Sequence, residues 1–554
     1  MSGVRSGVRF KEAYLFNTLE ELRAEFFKKI LGLLSGQNRR IRIKRSEEGF
    51  QWRLLLDSKI KEADESPCPP LPCGAGRAGH GAGGGGSSAS AVAEKPEDSI
   101  KGGTYGDIIF SKKEPEEAEK GLRYLKKILK LDSYILSERG TVSPEELLFI
   151  SSLFFKEFHI FTLMNPVYVH FKFSLEIKGG SLLAARFRMP QLGTQTLWHY
   201  FLQFAPRPCE LMDPRKIFHK FAAAYSITSQ LLSQLKQLSE LGSSVWPCAH
   251  LDLKSANVVV ASDKDGQLPP TAFLIDYGAA LSETEFANPE FIRRVRTTVR
   301  DARELCFPGR HPYGYFMDAF SLGIVGFASL GLYDYHAQFL SIFEVGMPRI
   351  KNCSDGTLKE EMREDLALEM EEELASDLKD MRKEAVSFLA LVGQNHPVFL
   401  IHWKAAFEVL LWLAEIKPEN RLGLENFLEI AEYLKNFSED LYAFLKTDLS
   451  QAPVFRASIP GILLERLRVK YPSENFRGLP ETFSSGVLMP APRPLAPRPV
   501  VTAPVRCLEG LGLILEAARK ELRESAGSHP FAAASSLKHG RSEDPEEGGR
   551  PAKR

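Results

Sequence analysis

Apolar positions recur along this chain with two different periods, so the sequence predicts both helices and strands. Residues 11–35 carry apolar side chains at the spacing of an amphipathic helix, and residues 217–241 repeat that spacing before a Leu–Gly end. Residues 167–177 and 182–189 are shorter apolar runs, of the length expected for neighbouring strands. We therefore predict an α+β protein in which a small antiparallel sheet precedes a mainly helical part.

Three stretches depart from these patterns. Residues 65–96 are rich in Pro, Gly, Ala and Ser, so they bury too little apolar surface to offset their ordering entropy, and we predict a disordered linker. A charged run within residues 355–390 predicts a solvated helical insertion, and prolines recur between residues 490 and 499. The predicted divisions are an N-terminal extension (1–64), the linker (65–96), a folded domain (97–440) and a Pro-rich, largely disordered C-terminal extension (441–554).

Composition narrows the class of protein. The 554 residues include 71 Lys plus Arg and 71 Asp plus Glu, so no excess of positive charge suggests a direct nucleic-acid partner. No apolar run reaches the roughly 18 residues of a membrane span, and residues 1–10 lack an apolar signal core. The cysteines are odd in number and contain no C-x-x-C pair, which favours reduced thiols in the nucleus or cytoplasm.

Two basic segments are candidate addresses for an import receptor. The first, residues 39–45, is either such an address, an anion-binding patch or a solvated edge strand. The second, residues 538–554, lies at the end of the tail, where basic residues also commonly serve only solubility. We expect a protein of the nucleus and cytoplasm.

Candidate chemistry begins at a polar cluster that precedes a β-branched run. His250, Asp252, Lys254 and Asn257 follow one another at offsets of two, two and three residues. Asp252 can accept a hydroxyl proton, Lys254 can neutralise a phosphoryl group in transfer, and Asn257 can offer a neutral oxygen to magnesium. The spacing is typical of a phosphoryl-transfer loop, although a polar turn before a strand would contain the same residue types.

A second polar motif follows at Asp276, nineteen residues after Asn257. An apolar segment ends there in Asp276, Tyr277 and Gly278, and a polar turn separates it from the first motif. Two strands joined by that turn would bring Asp276 beside Asn257. We therefore predict that these two residues share a metal ion.

The ordered set of motifs resembles that of the eukaryotic-type serine/threonine protein kinases. Asp276 begins a D-F-G-like triplet with Tyr in place of Phe, and residues 297–304 are similar to the T-x-x-Y-x-A-P-E segment. Asp318 begins a match to D-x-W-S-L-G-x-V, and residues 417–421 resemble D-P-x-x-R, whose Arg421 would pair with Glu304. The resemblance implies a bilobal fold, with a small β lobe at 97–190 and a helical lobe at 191–440. It also implies ATP and Mg²⁺ as cofactors and proteins as substrates.

The same resemblance identifies a nucleotide site. A glycine-rich hairpin at residues 100–110 would cover the phosphates, with Lys101 where the first glycine usually stands. Met189 would be the gatekeeper before a hinge, and Val259 would line the adenine pocket. The predicted nucleotide-facing positions of the hairpin are Ile100, Lys101, Gly103, Tyr105, Gly106 and Ile108.

The phosphate-anchoring lysine has two candidates, because no V-A-I-K motif occurs. The two-residue period of a strand would place Leu125 beside Lys127, or bulky Tyr124 beside Lys126, which favours Lys127 on steric grounds. A basic helix with solvated lysines is the alternative structure for this segment. Ser143 and Pro144 predict the start of a helix, and Glu146 on that helix is the predicted ion-pair partner of Lys127.

The divergent motifs also resemble those of herpesvirus-type protein kinases, which would imply nuclear host and viral protein substrates. Two other functions share these motifs. A kinase-like scaffold without turnover would suit the uncertain lysine and Lys101. A small-molecule phosphotransferase would share the loop of Asp252 and Asn257, but the segments around Glu304 and Arg421 favour a protein substrate.

Overall fold

The computed structural model describes the parts of the chain that form regular structure and their immediate neighbours. Separate residues between 21 and 30 and between 345 and 379 are also described. The continuous ranges are 12–16, 39–45, 52–57, 99–100, 106–110, 124–129, 144–165, 172–178, 181–202, 214–241, 248–262, 268–281, 315–330, 397–415, 418–447 and 455–472. The predicted linker at 65–96 and the tail beyond 472 lie outside these residues.

An eight-stranded antiparallel sheet forms the first half of the molecule. Its strand order is β1-β3-β2-β7-β8-β6-β5-β4, and every neighbouring pair is antiparallel. The runs predicted at 167–177 and 182–189 are its adjacent strands β7 and β8. The strands are β1 (Glu12–Phe16), β2 (Arg39–Arg45), β3 (Trp52–Asp57), β4 (Ser99–Ile100), β5 (Gly106–Phe110), β6 (Tyr124–Leu129), β7 (Lys172–Lys178) and β8 (Ser181–Pro190).

The N-terminal segment contributes three strands to this sheet, which differs from the prediction. Residues 12–16 are strand β1 rather than the first turn of a helix, because they pair along their whole length with β3. The described residues between 21 and 30 are helical, and among them Leu22, Phe26 and Ile30 are buried at the predicted spacing. Strand β2 is interior, paired with β3 and β7, so it is not the predicted edge strand. Its backbone is therefore engaged on both sides, which does not suit a segment read by an import receptor.

A long helix packs on the sheet and carries much of its core. Helix α1 (Pro144–Met164) begins at the predicted proline. Phe158 contacts Phe173 and Phe187 with ring centroids 5.4 Å apart in both cases, and Phe161 lies 5.3 Å from Phe187. Because this aromatic layer fills the space between helix and sheet, α1 is held at a defined depth against β7 and β8.

The second half of the molecule is helical and surrounds α3. Helix α3 matches the predicted helix at 217–241, and its Ser229 donates a hydrogen bond to the carbonyl of Ala431, 2.6 Å away. Tyr225 and Trp403 are among the largest fully buried side chains of this core. The helices are α2 (Leu197–Leu202), α3 (Pro214–Glu240), α4 (Phe316–Leu330), α5 (Pro397–Leu413), α6 (Phe427–Leu445) and α7 (Gly461–Lys470). This mixed α/β arrangement is compatible with the predicted bilobal fold.

A small second sheet is formed by one strand that precedes α2 and two strands that follow α3 in the chain. It has the order β11-β10-β9, formed by β9 (Gln195–Thr196), β10 (Val258–Ala261) and β11 (Thr271–Leu274). At the predicted hinge, a Cβ on Gly193 would approach the backbone of Val260 to 2.8 Å. A glycine is required there, because only a residue without a side chain allows the connection after β8 to pass so close to β10.

The folded region continues past the predicted boundary at residue 440, which falls inside α6. Helix α7 is joined to α5 by an ionic cluster: Glu408 is fully buried and lies 2.9 Å from Arg466 and 2.6 Å from Lys470. Arg466 also contacts Glu415 and stacks over the ring of Trp412. Because an unpaired buried carboxylate is costly, these contacts make α7 part of the folded domain.

The predicted helical insertion is also seen. The described residues between 356 and 379 are helical, and most of their charged side chains are exposed. Among all the described helices, none combines the length and apolar character needed to cross a membrane.

Candidate active site

The loop before β10 brings three of the predicted functional side chains into contact. Lys254 Nζ donates to both carboxylate oxygens of Asp252, at 2.8 and 2.7 Å. Asn257 Nδ2 donates to the backbone carbonyl of Asp252 and to its carboxylate, both at 2.8 Å. A carboxylate has about four acceptor positions. Three are in use, so Asp252 retains capacity to accept one further hydrogen bond.

A buried acid on α4 holds the backbone of this loop. Asp318 accepts the N–H of His250 at 2.6 Å and that of Leu251 at 2.9 Å. Leu251 has a φ of 62°, which is unfavourable for a residue with a bulky side chain. Burial raises the pKa of Asp318, while the two N–H donors counteract part of that rise. Its two backbone contacts therefore stabilise a strained turn directly before Asp252, a role that the motif match did not reveal.

Asp276 follows β11 in a second strained turn. Its φ is 65°, and the hydroxyl of the buried Tyr277 donates to the carbonyl of Leu274 at 3.0 Å. Ile275 joins this turn to the loop of Asp252 and Asn257, because its N–H donates to the carbonyl of Asn257 at 2.9 Å. His250 closes the connection: Asp252 N–H donates to its Nδ1, so Nε2 carries the proton and donates to the carbonyl of Ile275 at 3.0 Å. The two motifs are thus one hydrogen-bonded unit.

Lys127 is the side chain that joins the sheet to this unit. It is 5% exposed, and its Nζ lies 2.7 Å from Asp276 Oδ1 and 2.5 Å from Glu157 Oε1. Lys127 rather than Lys126 therefore faces the acidic residues, and the segment is strand β6, not a basic helix. Lys126 lies opposite Arg188 of β8.

The partner of Lys127 on α1 is Glu157, so the prediction of Glu146 was wrong. The two glutamates are eleven residues apart, close to three full turns, and so share one face of the helix about 16 Å apart along its axis. The sequence predicted the helix, but it cannot show how far that helix extends across the sheet. The aromatic layer of Phe158 and Phe161 sets that depth.

Lys127, Asp276 and Glu157 form a triad in which each charge shifts the pKa of the others. Burial lowers the pKa of Lys127, but Asp276 and Glu157 outweigh that effect and raise it overall, so the amine is charged. For Asp276, burial favours the neutral acid, but the positive charge of Lys127 prevails and lowers its pKa. For Glu157, burial and the charge of Asp276 raise its pKa against the opposing effect of Lys127. Lys127 is therefore a charged amine held between two acids whose pKa values are shifted in opposite directions.

The remaining predicted nucleotide positions lie on strands β4, β5, β8 and β10 or outside the described residues. Strands β4 and β5 contain Ile100, Gly106 and Ile108, and Ile100 pairs with Ile108. Val259, in β10, pairs with Thr196 and Phe273, and Met189 is buried on β8 opposite Leu125. The positions outside the described residues are Lys101, Gly103 and Tyr105.

The downstream motifs are only partly described. Arg421 is buried, donates to the carbonyls of Glu415 at 2.6 Å and Phe316 at 2.8 Å, and lies over the ring of Phe320. Its predicted partner Glu304 lies outside the described residues, as does the whole segment 297–304.

The donor set around Asp276 suits magnesium better than a transition metal. The described residues contain no group of three or more His, Cys, Asp or Glu side chains arranged to hold an ion. Asp276 supplies one carboxylate, and Asn257 has its side-chain oxygen available because both of its side-chain hydrogen bonds use Nδ2. Magnesium is commonly held by one or two protein oxygens together with water and phosphate oxygens, so these residues fit that ion.

Neither a scan of the chain against models of protein families nor a search of curated proteins found a match.

Proposed function

We propose that this protein is an ATP-dependent serine/threonine protein kinase. The observation that carries the proposal is the double contact of Lys127 with Glu157 and Asp276, at 2.5 and 2.7 Å. A lysine from the sheet and an acid that follows β11 are far apart in sequence, and a phosphate-binding role explains why both are held beside the loop of Asp252. Resemblance to the herpesvirus-type kinases extends the proposal to nuclear host and viral proteins as substrates.

Each residue has a defined part in the proposed reaction. Lys127, kept charged by its two acids, would bind phosphate oxygens of ATP. Asp252 would accept the proton of the substrate hydroxyl at its free acceptor position. Lys254, already in contact with Asp252, would neutralise the negative charge of the transferred group.

Asp276 and Asn257 would hold magnesium, which when bound neutralises charge on the ATP phosphates. The hydrogen bonds of Asn257 to Asp252 keep these two functional side chains in a fixed relation. The link from Ile275 to Asn257 does the same for Asp276.

The first test is transfer of labelled phosphate from ATP by the purified full chain. A panel of protein substrates and small-molecule hydroxyl compounds should give labelled protein only. Asp252→Asn should lower turnover by about a hundredfold or more, the range for loss of a general base, with ATP binding nearly unchanged. Labelling of small molecules alone would indicate a small-molecule phosphotransferase, and ATP binding without transfer would indicate a scaffold.

The second test uses neighbouring lysines as a matched pair. Lys127→Met should abolish both transfer and tight ATP binding, because it removes the amine at the triad. Lys126→Met makes the same chemical change one position earlier on the strand, where the side chain points to the other face. Equal activity of the two variants would contradict the assignment of Lys127.

A further inference from the structure

Within the part of the chain that the structure describes, the outer edge of strand β11 pairs with no other strand. Its inner edge pairs with β10 through Val258–Leu274, Val259–Phe273, Val260–Ala272 and Ala261–Thr271. In an antiparallel pair, alternate residues direct their backbone groups to opposite edges. Polar backbone groups at a buried edge require partners, since each one left unpaired is costly.

Two glutamines of α3 supply those partners. Gln230 Nε2 donates to the carbonyl of Pro270 at 2.8 Å, and its Oε1 accepts the N–H of Ala272 at 2.9 Å. Gln234 repeats the arrangement one step further: Nε2 donates to the carbonyl of Ala272 and Oε1 accepts the N–H of Leu274, both at 2.8 Å. Two amides therefore engage four successive outward-facing groups of the strand.

The spacing explains why a helix can take the place of a strand here. Four residues of α-helix rise about 6 Å, and two residues of a strand advance about 6.6 Å. Glutamines at positions i and i+4 of α3 therefore stay in register with every second residue of β11. An amide carries both a donor and an acceptor, as a peptide group does, and it matches the alternation of C=O and N–H along the edge.

This edge leads directly into the site. Leu274, whose N–H is held by Gln234, is two residues before Asp276, and its carbonyl accepts the hydroxyl of Tyr277. We propose that Gln230 and Gln234 are positioning residues, a pair of side chains that replaces a neighbouring strand and holds Asp276 in contact with Lys127. That Asp276 in turn positions magnesium rests on the proposed function.

The test compares isosteric variants of the full chain. Gln234→Met keeps the side-chain length and removes the amide, and Gln230→Met does the same one turn earlier. Gln237→Met is the matched control, because Gln237 is exposed on the same helix. Hydrogen–deuterium exchange of residues 271–277 should accelerate by about tenfold in the first two variants and remain unchanged in the control, with all melting temperatures recorded.

A second measurement follows Lys127 without any nucleotide. Acylation of Lys127 by an amine-reactive reagent should be faster in Gln234→Met than in Gln237→Met, because the contact with Asp276 is loosened. Unchanged exchange of residues 271–277, or faster exchange with unchanged acylation of Lys127, would overturn the proposal. This arm decides the positioning role even if the protein proves not to bind ATP.

A third measurement links the glutamines to the proposed function. In Gln234→Met the magnesium concentration that half-saturates ATP binding should rise about fivefold, and saturating magnesium should restore binding. Simple loss of folded protein would lower the bound fraction without moving that midpoint. If the magnesium midpoint stays fixed while strand β11 exchanges faster and Lys127 is acylated faster, Asp276 does not hold the ion. That result would refute the metal assignment but not the positioning role.

The charge variant gives an independent check. Gln234→Glu keeps the acceptor for Leu274 N–H but, when ionised, has no donor for the carbonyl of Ala272. Lowering the pH protonates the introduced carboxyl group and restores an O–H donor. The measured quantity is the exchange rate of residues 271–277 in the variant divided by the rate in the unaltered chain at the same pH. This ratio should fall toward one on acidification. A ratio that does not depend on pH would contradict the hydrogen-bonding role.

Discussion

Asp318 offers the sharpest test of how hydrogen bonds stabilise the loop that contains His250, Leu251 and Asp252. It accepts the N–H groups of His250 and Leu251, and it is 2% exposed. Asp318→Ala leaves two buried N–H groups without an acceptor, at about 1–3 kcal/mol each, while removal of a desolvated carboxylate returns part of this. We expect a net loss of about 3 kcal/mol in the free energy of unfolding. Asp318→Asn keeps one acceptor oxygen and should lose about 2 kcal/mol.

Urea unfolding followed by tryptophan fluorescence measures this loss, since Trp403 is buried in the same helical part as α4. Asp365→Asn, an exposed acid in the insertion, is the control and should stay within about 0.5 kcal/mol of the unaltered chain. If both Asp318 variants also stay within that range, the two hydrogen bonds do not stabilise the loop.

A double-mutant cycle tests the link between Asp318 and the left-handed Leu251. Leu251→Gly relieves backbone strain of about 1–2 kcal/mol but removes a buried side chain, so alone it should be destabilising. Without Asp318 the turn can relax, so Leu251→Gly no longer relieves any backbone strain. Leu251→Gly should therefore cost about 1 kcal/mol more in Asp318→Ala than in the unaltered chain, and strict additivity would refute the link.

Three further predictions concern the triad, pH and regulation. Glu157→Gln should lower phosphate transfer by at least tenfold and Glu146→Gln by less than twofold, measured at saturating ATP; the reverse order would restore the original assignment of Glu146. His402 is buried against aromatic rings, and burial lowers its pKa to about 4. From pH 6.5 down to 4 the unfolded chain therefore binds a proton that the folded chain does not bind at His402. The free energy of unfolding should fall by about 3 kcal/mol over that range. Urea midpoints of His402→Phe should lack this part of the acid dependence, and identical curves would contradict it. Leu251, directly before Asp252, has a buried apolar side chain that cannot bind a phosphate group. Protein treated with phosphatase should therefore keep most of its phosphate-transfer activity. A loss of more than about tenfold that is restored by rephosphorylation of residues 282–296 would disprove this prediction.

Sequence patterns were most informative where chemistry and local geometry coincide. Lys254 and Asn257, which belong to one sequence motif with Asp252, both contact its carboxylate, because the loop and β10 are continuous in the chain. Strand alternation favoured Lys127 over Lys126, and the structure places Lys127 at the acids. Both inferences needed only a few neighbouring residues.

Long-range packing explains the failures. Residues 12–16 have apolar side chains that suit a helix or a strand, and pairing with β3 decides between them. A solvated edge strand was one of three alternatives for residues 39–45, whereas the burial of Ile41 and Ile43 shows a strand with one covered face. No local pattern shows that β7 lies along its other edge. The role of the glutamines on α3 was missed for the same reason, since their partners are about forty residues further along the chain.

The strand order has a consequence for how the chain can vary. Strands β3 and β4 follow one another in sequence, but six strand spacings separate them in the sheet, a distance of about 29 Å. About nine extended residues would span it, whereas the connection at residues 58–98 is several times longer. Doubling a flexible connection adds only about 0.6 kcal/mol of closure entropy. From its composition, rich in Pro, Gly, Ala and Ser, we therefore expect this segment to tolerate the gain or loss of tens of residues, or an inserted domain, with little effect on the pairing of the strands at its two ends.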